Sequence, residues 1–148
     1  MKPHSLLCAS VLVSSLGAQA PAPIPPAPAQ APAAQALSGA ELAVQRFMDG
    51  YNAHDARAVA NACGAEAQFL VHPGTVLYDG RDAVYKAFTE AFRKNSKAHC
   101  EVLHRSVLRQ RVVDELLYTG LGKEPIHSVV IYEIQNDLVQ VAWLVPSN

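Results

Sequence analysis

The spacing of the apolar residues changes near Asn95, and this change restricts the fold more than any other feature of the chain. Before Asn95, apolar side chains recur three and four residues apart, as they do on amphipathic helices. After Asn95, most apolar residues are β-branched and fall into four strand-length runs, which is typical of an antiparallel meander. Helices followed by a run of strands predict an α+β domain in which a sheet packs against a helical layer.

Local signals predict where the first two helices begin and end. A Ser-x-x-Glu capping box at 38–41 begins the first helix, which the residues at 52–54 break. Asp55 is placed to cap a short second helix over 56–63, and Gly64 is placed to terminate it. Two connected helices are therefore expected at the start of the folded part.

A β-like run over 67–72 and a Pro-Gly turn separate the second helix from a third, which follows Gly80. The third helix carries an apolar stripe that includes Phe88, and basic residues lie at its C-terminal end. Three turn-like segments then divide the rest of the chain into four strands: 109–111, 120–122 and 135–137.

The chain begins with the features of a secretory signal peptide over residues 1–20. Lys2 precedes a short apolar run, and Ala18 and Ala20 supply the small side chains of a cleavage site. The run is shorter than the roughly 20 apolar residues of a membrane-spanning helix, so no membrane span is expected. Export would make the mature protein secreted or periplasmic.

Residues 21–37 contain six Pro and seven Ala, with no charged or aromatic side chain. This composition predicts an extended, disordered linker, so the folded domain is expected over 38–148. The formal net charge of -1 becomes -2 when cleavage removes Lys2. A balance so close to neutral gives no electrostatic support for binding nucleic acid.

The cysteines and histidines predict little chemistry by themselves. Cys63 and Cys100 remain after cleavage, and they form either one disulfide or two buried thiols. The histidines do not follow the spacing of metal ligands, and the sequence has no glycine-rich phosphate loop. Neither a metal site nor a bound cofactor is therefore expected.

Three segments carry a resemblance to a known family: 44–55, 78–83 and 130–134. With the order of the elements, they resemble the SnoaL-like branch of the nuclear transport factor 2-like (NTF2-like) superfamily, which includes polyketide cyclases and relatives of steroid delta-isomerases. The resemblance implies a cone-shaped barrel in which three N-terminal helices pack on a curved antiparallel β-sheet. Because the same barrel serves isomerases, cyclases, dehydratases and binding modules, the resemblance implies the fold rather than an activity.

The catalytic groups of the steroid isomerases in this superfamily are not matched. Their mechanism uses a carboxylate base and two oxygen acids, a tyrosine and a protonated aspartate. At the corresponding positions this chain has Phe47, Val130 and the segment 71–73. Steroid isomerisation by that mechanism is therefore not expected.

His72 lies where the resemblance places the catalytic base, and its imidazole can titrate near neutrality. It is the candidate general acid or base, with Tyr51 or Tyr132 as the hydrogen-bond donor. Tyr118 and His127 are further candidates for a second polar group.

Strand alternation places Ser128, Val130 and Tyr132 on one face of their strand, and the resemblance puts that face, together with Trp143, inside the barrel. Aromatic and apolar walls suit a small apolar or aromatic ligand. The predicted pocket residues are Phe47, Tyr51, His72, Phe88, Ser128, Val130, Tyr132 and Trp143.

The sequence leaves three functional hypotheses. The leading one is an exported SnoaL-like domain that binds a small, largely apolar molecule in its cone. The second is a cofactor-independent isomerase or lyase that uses His72 as general acid or base. The third is a non-enzymatic homodimer that acts through its outer sheet face, where His127, Val129 and Ile131 are expected.

Overall fold

The structure is a computed structural model that describes residues 37–146. Its elements are α1 (Gly39–Asn52), α2 (Ala56–Asn61), β1 (Cys63–Val71), β2 (Thr75–Asp79), α3 (Arg81–Lys94), β3 (His99–Leu108), β4 (Arg111–Thr119), β5 (Ile126–Gln135) and β6 (Leu138–Pro146). The predicted signal peptide, and the predicted linker as far as residue 36, lie outside the described residues. Within 37–146, none of the helices combines the length and apolar content needed to cross a bilayer.

The six strands form one sheet in the order β2-β1-β6-β5-β4-β3, and the sheet is curved without closing into a barrel. Four of the five strand pairs are antiparallel, whereas β1 runs parallel to β6. The predicted α+β fold and the antiparallel meander of the last four strands are confirmed, but the parallel pair makes the sheet mixed rather than wholly antiparallel. The reason is that β1 pairs with the last strand of the chain, so no hairpin fixes their relative direction.

The helices begin where the sequence predicts. The Ser38 side chain accepts a hydrogen bond from the Glu41 backbone N–H, and the Glu41 carboxylate accepts one from the Ser38 N–H, so the capping box is formed. The Asp55 carboxylate accepts hydrogen bonds from the backbone N–H groups of Arg57 and Ala58 at the start of α2. These contacts satisfy donors that a helix N-terminus leaves without partners.

The predicted end of α2 was wrong, because the helix stops at Asn61 and β1 already begins at Cys63. The carbonyl of Ala62 accepts a hydrogen bond from the N–H of Val139, which draws this segment to the edge of β6. Gly64 lies inside β1 rather than at a helix terminus. A Cβ at this position would overlap the side chain of Gln140.

The core fills the space between the inner face of the sheet and the helices α1 and α3. Cys63 and Cys100 are both buried free thiols in this core, so the alternative of a disulfide was not realised. A buried ion pair also lies there. The Arg105 guanidinium donates to both carboxylate oxygens of Asp114 at 2.7 Å, and it donates to the Oε1 of Gln45 at 3.2 Å. This pair connects β3 and β4 to α1.

Candidate functional site

A cavity of about 360 Å³ lies between the sheet and the helices α1 and α3. Seven aromatic side chains line it: Phe47, Tyr51, Phe69, Tyr78, Phe88, Tyr118 and Tyr132. The aliphatic part of the wall consists of Met48, Val71, Leu77, Ala91, Leu121, Ile126, Val130, Leu144 and Pro146. His127 and Ser128 complete the lining. Every element except α2 and β3 contributes a residue.

Burial separates a closed end from a mouth. The residues of the closed end are almost inaccessible; Tyr132, for example, is 1% exposed and Met48 is 3% exposed. At the mouth, Leu77, Leu121 and Ile126 are between 38% and 48% exposed. A molecule that enters the cavity would therefore pass between β2 and the segment that connects β4 to β5.

The aromatic rings of the wall pack against one another. Phe47 stacks on Phe69 with ring centroids 5.7 Å apart and meets Phe88 edge-on at 5.8 Å. Tyr51 also meets Phe88 edge-on, at 6.0 Å, and meets Tyr118 at 5.8 Å. Offset and edge-on contacts of this kind fix ring positions, so the wall is largely formed before any ligand enters.

Three of the side chains that line the cavity are tyrosines with hydroxyl groups: Tyr51, Tyr118 and Tyr132. The Tyr132 hydroxyl donates to the Sδ of Met48 at 3.8 Å, and the Tyr118 hydroxyl shares a hydrogen bond with the thiol of Cys100. Burial raises the pKa of Tyr51 to about 12, and it raises the pKa values of Tyr118 and Tyr132 as well. All three phenols therefore stay protonated near neutral pH and can act as hydrogen-bond donors.

Among the described residues, none of those lining the cavity carries a formal charge, apart from the titratable imidazole of His127 at the mouth. The pair Asp114 and Arg105 lies behind the wall and influences the pKa of Tyr132. Within residues 37–146, no group of three or more His, Cys, Asp or Glu side chains is arranged to hold a metal ion.

Six of the eight predicted pocket residues line the cavity: Phe47, Tyr51, Phe88, Ser128, Val130 and Tyr132. Whether they contact a ligand stays a prediction. His127 is exposed, as strand alternation predicts, and it also borders the mouth.

The expected position of Trp143 was wrong. Trp143 is the register partner of Ile131 on one side and of Leu70 on the other. Register partners share a face of the sheet, and Ile131 lies on the outer face. The inward positions of β6 are its neighbours Ala142 and Leu144, which pair with Tyr132 and Val130.

The expected position of His72 was also wrong. Val71 is the last residue of β1 to line the cavity, and the side chain that follows it in an extended chain points to the other face. His72 is exposed, and its backbone N–H donates to the carbonyl of Leu144 at 2.8 Å. The structure thus brings together Tyr51 and Tyr132, but not His72, from the predicted catalytic set.

Several wall residues were missed by the sequence reasoning, among them Phe69 and Leu144, and Tyr118 was expected only as a candidate second polar group. A signal for two of them was present. Phe69 alternates with Val71 in the β-like run, and Tyr118 alternates with Val112, Asp114 and Leu116. Without knowledge of which strand face is buried, that alternation leaves the inner set undetermined.

Comparisons with known proteins agree with this architecture. A family model described as a SnoaL-like domain matches residues 44–141. Among proteins with curated functions, no sequence match was found.

Solved structures share the fold at low sequence identity. A cystatin-fold protein from Novosphingobium aromaticivorans is 18% identical, with a TM-score of 0.68 over 74% of this chain and 98% of that one. An NTF2-like protein of unknown function from Cytophaga hutchinsonii is 13% identical, with a TM-score of 0.63 over 78% and 95%. A protein with a ketosteroid isomerase-like fold from Catenulispora acidiphila, in complex with trimethylamine, is 11% identical, with a TM-score of 0.61 over 69% and 82%.

Proposed function

The chain belongs to the SnoaL-like family of the NTF2-like superfamily, and on that premise we propose that it binds a small, largely apolar molecule in the cavity between its sheet and helices. One observation carries the proposal. The cavity of about 360 Å³ has seven aromatic side chains in its wall and no Asp, Glu, Lys or Arg among its described lining residues. Concave, preformed and mostly apolar sites with a few polar groups are typical of small-molecule binding.

The ligand should carry no net charge. An ionised group taken from water into an apolar wall loses its hydration and finds no opposite charge there, which strongly disfavours binding. A neutral group that accepts a hydrogen bond, such as a carbonyl or ether oxygen, can instead pair with the phenol of Tyr51.

A thermal-shift screen tests this proposal. Neutral bicyclic aromatics such as 2-acetylnaphthalene should raise the melting temperature in a concentration-dependent way, whereas 2-naphthoate, which has a similar shape but is ionised, should not. Leu144→Trp places an indole in the cavity and should abolish the shift. Leu108→Trp, at a site 71% exposed and outside the cavity, is the matched control. A 2-naphthoate shift as large as that of the ketone would contradict the proposal.

If the protein is instead an isomerase or lyase, its proton-transfer group must be one of the side chains that line the cavity. The cavity offers the phenols of Tyr51, Tyr118 and Tyr132 and the imidazole of His127. If turnover is detected with a ligand from the screen, Tyr51→Phe should reduce it by about 100-fold or more, the usual contribution of a general acid or base. His72→Gln should leave it unchanged, because His72 lies outside the cavity.

We also propose a homodimer formed through the outer face of the sheet. On this face, five neighbouring strands each contribute one apolar side chain to a row that crosses the sheet. The residues of the row are successive register partners: Val113, Ile131, Trp143, Leu70 and Val76. A continuous apolar row across a sheet face supports association with a second copy, since a two-fold axis packs the row of one copy against the same row of the other.

Export remains a proposal that rests on the sequence of residues 1–20 alone. Signal peptidase cleavage after Ala20 would remove Lys2 and leave a chain that begins at Pro21. Intact-mass measurement of the protein from the culture medium or periplasm tests this, and a mass that includes Met1 would contradict it.

A further inference from the structure

The mouth of the cavity is bordered by apolar side chains that solvent reaches. The described residues include nine large hydrophobic side chains that are exposed, and three of the nine, Leu77, Leu121 and Ile126, line this one opening. Leu77 lies on β2, Leu121 lies in the connection between β4 and β5, and Ile126 is the first residue of β5. Single exposed apolar residues are common on proteins, but a group gathered at one opening marks an interaction site.

The rim is continuous with the apolar wall inside. Val71 and Leu144, which are partly buried, connect the buried rings of the closed end to the exposed rim. A ligand that fitted wholly inside would leave the rim uncovered and in contact with water. A longer ligand would cover the rim with its own apolar chain, which removes more apolar surface from water.

The polar groups of the cavity include one phenol that is free to bind a ligand. The ring of Tyr51 is 8% exposed, and within residues 37–146 its hydroxyl makes no hydrogen bond. The phenol of Tyr132, in contrast, already donates to Met48. The interior of the cavity therefore offers an unused donor in Tyr51, and Leu77, Leu121 and Ile126 at the mouth offer carbon surface.

We infer that the ligand is an elongated, uncharged amphiphile. Its hydrogen-bond acceptor lies inside the cavity near Tyr51, and its apolar chain leaves the cavity through the mouth and rests on Leu77, Leu121 and Ile126. This inference rests on the proposed binding function and specifies the class of molecule: a neutral compound with one polar end and a chain too long for the enclosed space.

A homologous series of methyl ketones, from 2-hexanone to 2-tetradecanone, tests the inference. Each ketone, below its solubility limit, competes with the fluorescence of Nile red bound to the full chain. Affinity should rise by about fourfold for each methylene buried inside the cavity. Beyond the enclosed length it should continue to rise, by about twofold for each methylene, because a chain on the rim is covered on one side only.

The rim is then removed by the combined substitution Leu77→Ser, Leu121→Ser and Ile126→Ser. All three side chains are partly exposed, so the variant should fold, and circular dichroism with a melting curve checks this. The rim variant should bind 2-hexanone with less than a twofold change and bind 2-tetradecanone about tenfold more weakly. Leu108→Ser, at an exposed site far from the mouth in sequence and outside the cavity lining, should bind both ketones as the unchanged protein does.

The outcomes separate this inference from the proposed function. An affinity that stops rising at a short chain length, or a rim variant that weakens short and long ketones equally, would overturn the elongated ligand and leave a small-molecule cavity standing. If neither the ketones nor Nile red binds, the proposed function and this inference both fail.

Discussion

At the scale of single residues, the pair of Arg105 and Asp114 differs from the exposed ion pairs in its burial. Asp114 has no exposed surface, and both of its carboxylate oxygens are held by Arg105 at 2.7 Å. Removing one partner of such a pair leaves an uncompensated buried charge, whereas exposed pairs contribute little. The exposed pair of Arg111 and Glu133 in the neighbouring strands provides a direct contrast.

Asp114→Asn should lower the free energy of unfolding by about 3 kcal/mol, because the partly buried Arg105 guanidinium would lose its counter-charge. Glu133→Gln, the control, should change it by less than about 1 kcal/mol. Urea denaturation followed by circular dichroism measures both. Equal effects of the two substitutions would show that burial does not distinguish the pairs.

Buried thiols and phenols make the protein sensitive to alkali. Burial raises the pKa values of Cys63 and Cys100 from 9.0 to about 12, and that of Tyr51 from 10.0 to about 12. Between pH 9 and 12 these groups therefore lose protons in the unfolded chain before they do so in the folded one. The unfolded state then binds fewer protons, so stability falls as pH rises.

We expect the free energy of unfolding to be insensitive to these groups below pH 9 and to decline steadily above it. Cys63→Ala removes one of the groups and should make the decline between pH 9 and 12 shallower, even if it lowers stability at neutral pH. Denaturation curves measured at several pH values give the slope. An unchanged slope in Cys63→Ala would refute the assignment.

The residue scale also shows where sequence reasoning succeeds and fails. Alternation within β5 correctly groups Ser128, Val130 and Tyr132 on one face, because the period of a strand is a local property. Which face of β6 is buried is not local. It depends on the register of β6 against β5, and that register places Trp143 opposite Ile131.

At the scale of the elements, the connection between β4 and β5 carries a strict backbone requirement. Gly120 has φ +73°, and a Cβ there would overlap the backbone of Lys97, just before β3. Gly122, two residues later in the same connection, has nothing within 4 Å of a Cβ. The backbone therefore requires a glycine at position 120 but not at position 122.

Gly120→Ala should destabilise the protein by more than about 2 kcal/mol, since a left-handed conformation and a backbone overlap combine. Gly122→Ala should change stability by less than about 1 kcal/mol. Melting temperatures of the two variants test this, and a similar loss in both would contradict the close approach at Lys97.

Elements defined by local signals could be predicted, and those defined by distant contacts could not. Residues close in sequence determine the capping box of α1, the Asp55 cap of α2 and the three turn segments between the last four strands. The parallel pairing of β1 with β6 joins residues about 75 positions apart, as in Gln68 with Val141. The same long-range pairing ends α2 early and turns His72 away from the cavity.

At the scale of the whole molecule, one sheet has two apolar faces. The inner face packs on α1 and α3 and forms the cavity wall. The outer face carries the row of Val113, Ile131, Trp143, Leu70 and Val76. A stable fold needs the first face alone, so the second calls for a separate explanation.

Ile131→Asp places a charge in the middle of the outer row and should convert the proposed dimer to a monomer, because an unpaired carboxylate in an apolar interface is strongly disfavoured. Leu108→Asp, outside the row, should leave the dimer intact. Sedimentation at micromolar concentration measures both. A wild-type protein that is monomeric in this range would refute the dimer.

The strands β4 and β5, and β6 from Val141 onward, follow one parity rule: even-numbered residues such as Leu116, Val130 and Leu144 face the helices, and odd-numbered ones such as Ile131 and Trp143 face outward. Point substitutions at these even positions can therefore reshape the cavity while the exterior stays constant. A combinatorial library confined to them would vary the cavity wall on an unaltered scaffold. A deletion of one residue in β5 would exchange the two surfaces and destroy both at once.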